Sequence, residues 1–380
     1  MNALRHSVLV LALHLSLLLI AGFFSGCATR GDYAVVASSR EFQWTGVTVS
    51  HSGRMFVSYP RWNEPFDLSV AELAGSTSGA LKPYPDEAWN RWDPRLRIAP
   101  GTRFVCVQAI YVDAKDRLWI LDPASPRFAG VVPGEAKLVQ VDLATNQVVK
   151  VIHFDAAVAP KESYLNDIRV DTQRDIAYIT DSGKGGIVVV DLAAGTARRT
   201  LDGHPSVLAE DIAITIDDKP LLGGDSKTPR VNSDGIALSA DGETLYYQAL
   251  TSRTLYRIPT SVLRDANATP AQVGAAVQRV GTTVVTDGME IDSAGNVYFT
   301  AIEHNAVMVR TPAGELRTLA KGPELSWPDT FAWGDNQTLY VNTSQIHRTT
   351  MFNGGKPMPA TPFVVARLNP LAPRMNCCAK

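Results

Sequence analysis

The sequence lacks most of the motifs by which a chemistry can be recognised. It has 4 cysteines in 380 residues, too few and too badly placed for a disulfide scaffold. Cys106 sits in the apolar segment Phe104-Val105-Cys106-Val107 and reads as a small buried hydrophobe. Cys377 and Cys378 are adjacent, a spacing that pairs only under strain. No Cys/His pattern has zinc-site spacing, no G-x-S-x-G marks a hydrolase nucleophile, and no P-loop or Rossmann fingerprint occurs. An excess of charge is also missing. The formal net charge is -2, and no Lys/Arg-dense stretch is interleaved with aromatics, so the chain offers no footprint for nucleic acid. Beyond the N-terminus no segment sustains a 3.6-residue apolar period, so helices are expected to be few and short.

There is one long apolar run. Arg5 and His6 precede Val8 to Phe24, and the small residues Ser25 and Gly26 then lead to Cys27, the pattern of an export signal. Such a run also reaches the lower limit of about 17 residues for a spanning helix. The Ser25-Gly26-Cys27 ending favours cleavage, because it resembles the bacterial lipobox, in which the cysteine thiol is diacylated and becomes the mature N-terminus; Phe24 stands where Leu is usual. Residues 1–26 are therefore predicted as a lipoprotein signal peptide, Cys27 as a lipid anchor to the membrane, and 27–41 as a tether. Ala28 after the cysteine points to a protein on the bacterial outer membrane facing the periplasm, or one that is secreted.

What the chain does have is a repeat, occurring six times: from Thr45 (TGVTVSHSGRMFVSY), Gln108, Asn166, Asp234, Asp287 and Asp329 (DTFAWGDNQTLYVNT). Each copy is a short alternating strand, a polar turn with Asp, Gly or Asn, and a second strand rich in aromatic and β-branched residues, the signature of a hairpin. A third strand follows most copies, beginning at Leu68, Lys137, Gly185, Thr254 and Ala306. The copies are too widely spaced for sandwich hairpins and suit four-stranded propeller blades. The predicted fold class is all-β, a single six-bladed β-propeller over residues 42–370 with a tail at 371–380. The apolar segment Pro362 to Leu368, or the strand before Thr45, is expected to close the ring. The longest departures from the repeat are Pro60 to Arg103 and Asp202 to Asn232.

Superposing the copies places Thr45, Gln108, Asn166, Asp234, Asp287 and Asp329 at one blade position, where the innermost strands enter the channel. Taken singly, an Asp or Asn there commonly holds its own turn, and the Gly of Asp234-Gly235 and Asp287-Gly288 can serve a tight bend. Taken together, three carboxylates around one channel would raise each other's pKa unless a ligand or cation were present, so the ring is the predicted ligand-binding site. Its oxygen donors would suit Ca2+ or another hard divalent cation and not copper or zinc. Asp181 and Asp122, which end second strands, read as turn caps. Glu303-His304, His153 and His204 are weaker candidates, and the strand Trp and Tyr residues read as blade packing.

Several segments outside the bare repeat are similar to the yellow/major royal jelly protein family: Lys82-Pro83-Tyr84-Pro85-Asp86 with Trp89-Asn90; Tyr164-Leu165-Asn166-Asp167 leading to Tyr178-Ile179-Thr180-Asp181-Ser182-Gly183; Ser233-Asp234-Gly235 running on to Leu250-Thr251-Ser252-Arg253; and Trp327-Pro328-Asp329-Thr330-Phe331. The likeness spans about Phe42 to Arg348. It implies a six-bladed propeller, secretion, and a central pocket that in some members holds small amines or lipids; the family also includes proteins of dopachrome conversion. A more distant likeness runs to the gluconolactonase/senescence-marker family, where Asp234-Gly235 and Asp287-Gly288 fall at metal-binding positions and Asn166 at a substrate-side Asn. There Thr45 replaces a ligating Glu and Asp234 replaces an Asn.

The leading expectation is thus an exported propeller that binds a small organic molecule in its funnel. The first alternative is a lactonase-like hydrolase with a divalent metal held by Asp234, Asp287 and Asn166, where the ion would polarise a carbonyl and activate water. The second is a protein-interaction platform, with the Pro60 to Arg103 segment as its surface. Catalytic residues, any protein partner and the roles of Cys377 and Cys378 stay open at this level.

Overall fold

The computed structural model describes residues 32–375 apart from 64–65, 67, 74–80, 96–100, 336, 354 and 359–361. Cys27, Cys377 and Cys378, with the signal and anchor predicted around the first, lie outside the described residues.

Six four-stranded antiparallel sheets form six blades. Blade I comprises Gly46–Val49, Met55–Ser58, Val70–Leu73 and Leu81–Pro83; blade II Ala109–Val112, Arg117–Asp122, Lys137–Asp142 and Gln147–His153; blade III Leu165–Asp171, Ile176–Asp181, Ile187–Asp191 and Thr196–Thr200. Blade IV comprises Ser233–Leu238, Thr244–Ala249, Thr254–Pro259 and Gln278–Thr282; blade V Thr286–Ile291, Val297–Ala301, Ala306–Arg310 and Leu316–Lys321. Blade VI takes Pro328–Trp333, Leu339–Thr343 and Phe363–Leu368, and its outermost strand is Tyr33–Ser39 from the other end of the chain. Both segments offered for closure therefore serve: Phe363–Leu368 pairs with Leu339–Thr343 on one edge and Tyr33–Ser39 on the other. This joins the first strand to the last blade and closes the ring. Among the described residues the α-helices are three short segments, Glu87–Asn90, Thr260–Arg264 and Pro270–Ala276.

The core lies between adjacent blades. The buried second strands Leu118-Trp119-Ile120-Leu121 and Ala177-Tyr178-Ile179 alternate side chains into the two neighbouring interfaces, as a strand covered on both faces must. Cys106 is a fully buried free thiol, and burial raises its pKa to about 12, so it is packing material and not a nucleophile.

Much of Pro60 to Arg103 is not an insert at all, because it supplies the two outer strands of blade I. The rest is a structural clasp. Asp86 caps the helix Glu87–Asn90 by accepting from the backbone of Trp89, and buried Asn90 accepts from the N–H groups of Ser69 and Val70 at 2.8 and 2.9 Å. Its amide donates to the carbonyls of Tyr84 and Asp86. Trp89 packs on Phe104 with ring centroids 5.0 Å apart. The Lys82 to Asn90 motif thus fastens this segment onto blade I.

Candidate functional site

Four of the six innermost strands carry the same irregularity. Between Leu165 and Ile168, Ser233 and Ile236, Thr286 and Met289, and Pro328 and Phe331, one extra residue opposes the second strand. A bulge of this kind re-aims the side chains within it, and these hold Asn166-Asp167, Asp234-Gly235, Asp287-Gly288 and Asp329-Thr330. Blades I and II, with Thr45 and Gln108, pair without a shift. Second-strand side chains hold the bulges: Thr180 Oγ1 accepts from Asp167 N and Thr300 Oγ1 from Asp287 N, both at 3.1 Å, and Asn342 Oδ1 accepts from Thr330 N at 2.9 Å. The two glycines serve close approach, not a tight bend. A Cβ on Gly235 would strike the carbonyl of Asp287, and one on Gly288 the carbonyl of Asp329.

Of the six predicted ring residues, Gln108, Asn166, Asp234 and Asp287 line one cavity of about 280 Å³ at the channel mouth. Thr45 and Asp329 are buried and do not line this cavity; Thr45 Oγ1 and Asp329 Oδ2 have no hydrogen-bond partner. The cavity wall also contains groups that the repeat could not reveal: Trp62, Phe128, Tyr164, Trp327 and Phe352, with Pro229 to Val231 from the Asp202 to Asn232 insert. Strand aromatics such as Trp119, Tyr178 and Tyr298 are fully buried between blades as expected, whereas the aromatics of this wall mostly come from connections.

The wall is ordered by a hydrogen-bonded string. Trp62 Nε1 donates to Tyr164 Oη (2.7 Å), Tyr164 donates to Gln108 Oε1 (2.9 Å), and Gln108 Nε2 donates to Asn166 Oδ1 (2.9 Å). Phe128 lies against Trp62 and Tyr164, with centroids 5.3 and 4.7 Å away. Across the cavity, Trp327 Nε1 donates to Asp287 Oδ2 at 2.7 Å. Trp327 and Phe128 both hold positive φ, 50° and 55°, an uncommon conformation for bulky residues that persists only where surroundings impose it.

The acids are four, not three. Asp167 shares the blade III bulge with Asn166 and is buried, and burial lifts its pKa to about 6 against the pull of Arg169. Burial lifts Asp287 to about 7, opposed by the Trp327 hydrogen bond and reinforced by Asp167. Asp234 and Asp329 are pushed well above the carboxylate range, by burial first and then by repulsion from Asp287. Desolvation therefore outweighs the mutual repulsion that the sequence suggests. Asp234 and Asp287 each act on the other's protonation, so the two acids titrate as a pair and not singly.

The other candidates are structural. Asp181 accepts from the backbone of Tyr164, Gly183 and Lys184 and pairs with Arg199 at 2.7 Å. Asp122 accepts from Val105, Cys106 and Ala124 N–H groups and from Lys137 Nζ. Both are the turn caps expected. Glu303 anchors Thr215 N and Arg253, and His204 bonds Ser206 of its own turn.

The donor set for a metal is Asp234, Asp287 and Asn166. Asn166 Oδ1 already accepts from Gln108 and Asp287 Oδ2 from Trp327. Among the described residues no three His, Cys, Asp or Glu side chains form a group that could hold an ion. Three side chains alone are too few for a protein-built cage of six to eight oxygens.

The family model described as Major royal jelly protein matches residues 105–353, more than half of the chain and every site residue except Thr45 and Trp62. The chain belongs to the major royal jelly protein family. This family member is 28% identical over 236 residues to major royal jelly protein 5 of Apis mellifera, covering 57% of this chain and 35% of the relative. It is 26% identical over 231 residues to major royal jelly protein 1 of Apis mellifera, 56% and 49% covered. It is 26% identical over 179 residues to dopaminechrome tautomerase of Drosophila melanogaster, 43% and 37% covered. The match thus spans between a third and a half of these curated relatives. Among solved structures, a luciferin-regenerating enzyme superposes with a TM-score of 0.53 at 12% identity, covering 91% of this chain and 94% of that one. A gluconolactonase from Xanthomonas campestris gives 0.51 at 13% identity, covering 90% and 89%. At such identities the likeness is one of fold.

Proposed function

We propose that this propeller binds a small aromatic molecule bearing an amine at the mouth of its funnel. The carrying observation is the juxtaposition of the Asp234–Asp287 pair with walls made by Trp62, Phe128, Tyr164, Trp327 and Phe352. An aromatic ring finds stacking partners there, and an ammonium finds ring faces and an acid pair that ionises to receive it. Tyramine is a suitable probe. It should quench the tryptophan emission saturably, and Asp287→Asn should weaken it about tenfold or more, the loss of one charge-assisted hydrogen bond. Unchanged affinity in a folded Asp287→Asn protein would refute the reading.

A second reading rests on the interacting acid pair, whose members ionise at different pH. One carboxyl that holds a proton beside one that accepts is the equipment for moving a proton between two atoms of a bound substrate, and a tautomerase stands among the relatives. In this reading Asp287, held ionisable near neutrality by Trp327, takes the proton from the substrate, and the protonated Asp234 returns one to a different atom. Turnover of an aminochrome that is abolished in both Asp234→Asn and Asp287→Asn would support it, and binding without turnover would leave the protein a carrier. The lactonase alternative rests on fold likeness and follows the fate of the metal site tested below. The site is proposed to work outside the cytoplasm, with Cys27 as lipid anchor; Cys27→Ser should release the protein from membranes, and its continued retention there would overturn that assignment.

A further inference from the structure

The hydrogen-bonded string along the funnel wall has a direction. Indole Nε1 can only donate, so where Trp62 meets Tyr164 at 2.7 Å the phenol oxygen accepts and its own proton points elsewhere. Tyr164 is 5% exposed, and a hydroxyl shut away from water must place its proton on an acceptor or leave it unsatisfied at a cost. Two atoms are near, Gln108 Oε1 at 2.9 Å and Cys106 Sγ at 4.0 Å. The amide oxygen takes the proton, because sulfur is the weaker acceptor and lies 1.1 Å farther away.

The orientation of the next two amides follows. With Oε1 turned to Tyr164, the other end of the Gln108 amide is the NH2 group, which only donates, so the Asn166 atom 2.9 Å away is Oδ1. An asparagine amide has one oxygen and one nitrogen, and Asn166 therefore turns Nδ2 away from the string. Among the described residues nothing accepts from that nitrogen. It is not sealed in the way that the unpartnered Thr45 Oγ1 and Asp329 Oδ2 are. Asn166 borders the funnel cavity although the residue is only 6% exposed, so the string ends in a donor offered to whatever fills the funnel.

We infer that Asn166 is the specificity-determining donor of the funnel, and that the ligand carries an oxygen acceptor on its aromatic ring, a phenol or a ring carbonyl, at the end away from its amine. The inference rests on the amine reading given above. Asn166 belongs to blade III and Asp287 to blade V, with Asp234 on blade IV between them, so one ligand meets the acid pair with its ammonium and Asn166 with its ring oxygen. A ligand without that oxygen covers the donor and returns nothing for the water it displaces, and sites built around such donors reject the deficient analogue strongly. Trp62, Tyr164 and Gln108 act on this choice through Asn166, as positioning residues.

The test is a fluorescence titration of the purified protein with tyramine, with its para-methyl analogue, in which a methyl group replaces the hydroxyl, and with its O-methyl ether, whose oxygen can only accept. Tyramine should bind about tenfold or more tighter than the methyl analogue. Gln108→Glu tests the direction of the string. A carboxylate at position 108 accepts from Tyr164 and has no proton for Asn166, so Asn166 turns Nδ2 toward it and shows Oδ1 to the cavity. The added charge acts on all three amines alike and cancels in their ratios. The ether should then lose about tenfold relative to the methyl analogue, while tyramine, which can also donate, keeps its advantage. Equal affinities of tyramine and the methyl analogue in the parent, both still weakened by Asp287→Asn, would overturn this inference and leave the amine reading standing. An ether-to-methyl ratio that is the same in the parent and in folded Gln108→Glu would overturn it as well. If none of the three binds saturably, both readings fall, and if Gln108→Glu does not fold, the comparison of tyramine with its methyl analogue in the parent decides.

Discussion

Trp327 holds Asp287 by a 2.7 Å hydrogen bond from indole Nε1 to carboxyl Oδ2, and this bond opposes the burial that drives the acid toward its neutral form. The indole is itself stacked on His347, with ring planes 5° apart and centroids at 5.8 Å, so its direction is set by packing. Trp327→Phe keeps an apolar ring in that stack and deletes the donor. The pKa of Asp287 should then rise above about 7, and tyramine affinity at neutral pH should fall about tenfold, the usual worth of a hydrogen bond to an ionised group. The distinguishing sign is in the pH profile: affinity rises with pH in both proteins, but the midpoint of the rise lies higher in Trp327→Phe. A variant with an unmoved midpoint would show that the bond does not tune the acid.

The buried acids also set the direction of the stability profile. Asp287, with a folded pKa near 7, and Asp167, near 6, both lie above the ordinary value of 3.8, so between these limits the folded state binds more protons than the unfolded one. Their contribution is complete below about pH 4 and is lost as pH rises through about 6 to 7, because stability falls with pH wherever the native state holds the extra protons. The thermal midpoint should therefore decline from mildly acidic to neutral pH, and Asp287→Asn, which cannot ionise, should flatten that decline. A parent protein equally or more stable at pH 8 than at pH 5.5, with Asp287→Asn unchanged in slope, would refute this account.

The repeat made the fold legible because each blade must present the same alternation to its neighbours, and six hairpins announce six blades. For the same reason the repeat pointed to Gln108, Asn166, Asp234 and Asp287, which line the cavity, though it also pointed to Thr45 and Asp329, which do not. What the repeat hid was whatever does not repeat. Asp167 escaped because the superposition aligned its neighbour Asn166 with Asp234 and Asp287, and only the bulge brings both residues of each pair into the channel region. Trp62, Phe128, Trp327 and Phe352 escaped because they reside on connections whose paths depend on long-range contacts. The partial signal was Trp327, which directly precedes the Pro328-Asp329 strand in a segment that resembles the family. Gly235 and Gly288 looked like bend formers in sequence; the carbonyls of the next blade, which they accommodate, are distant in the chain.

Divalent cations discriminate between a proton and a metal as the neutraliser of the ring. A cation site filled at 100 times its Kd would add about 2.7 kcal/mol, a readily measured rise in thermal midpoint. With Asn166 and Asp287 already engaged, Ca2+, Mg2+ and Mn2+ should each leave the midpoint within the scatter of a chelator-treated control. A saturable rise with one ion, lost in Asp287→Ala, would instead restore the lactonase reading and direct assays toward sugar lactones.

Asn90 offers a test of the clasp that is independent of the funnel. Its side chain satisfies the buried N–H groups of Ser69 and Val70 and the carbonyls of Tyr84 and Asp86, and no solvent can replace it, because the residue is 2% exposed. Asn90→Ala strands two buried donors at about 1–3 kcal/mol each while removing little volume. A loss of about 3–4 kcal/mol in urea denaturation is expected, with the tyramine affinity of the remaining folded protein unchanged. Asn90→Asp separates the two halves of the role, since it keeps the acceptor for Ser69 and Val70 but gives up both donated bonds and buries a charge. It should be at least as destabilising as Asn90→Ala at neutral pH and recover partly in acid, where a protonated carboxyl can again donate. A cost below about 1 kcal/mol for Asn90→Ala, the value of a single exposed hydrogen bond, would mean that the Lys82 to Asn90 motif is held by Tyr84 and Trp89 packing alone.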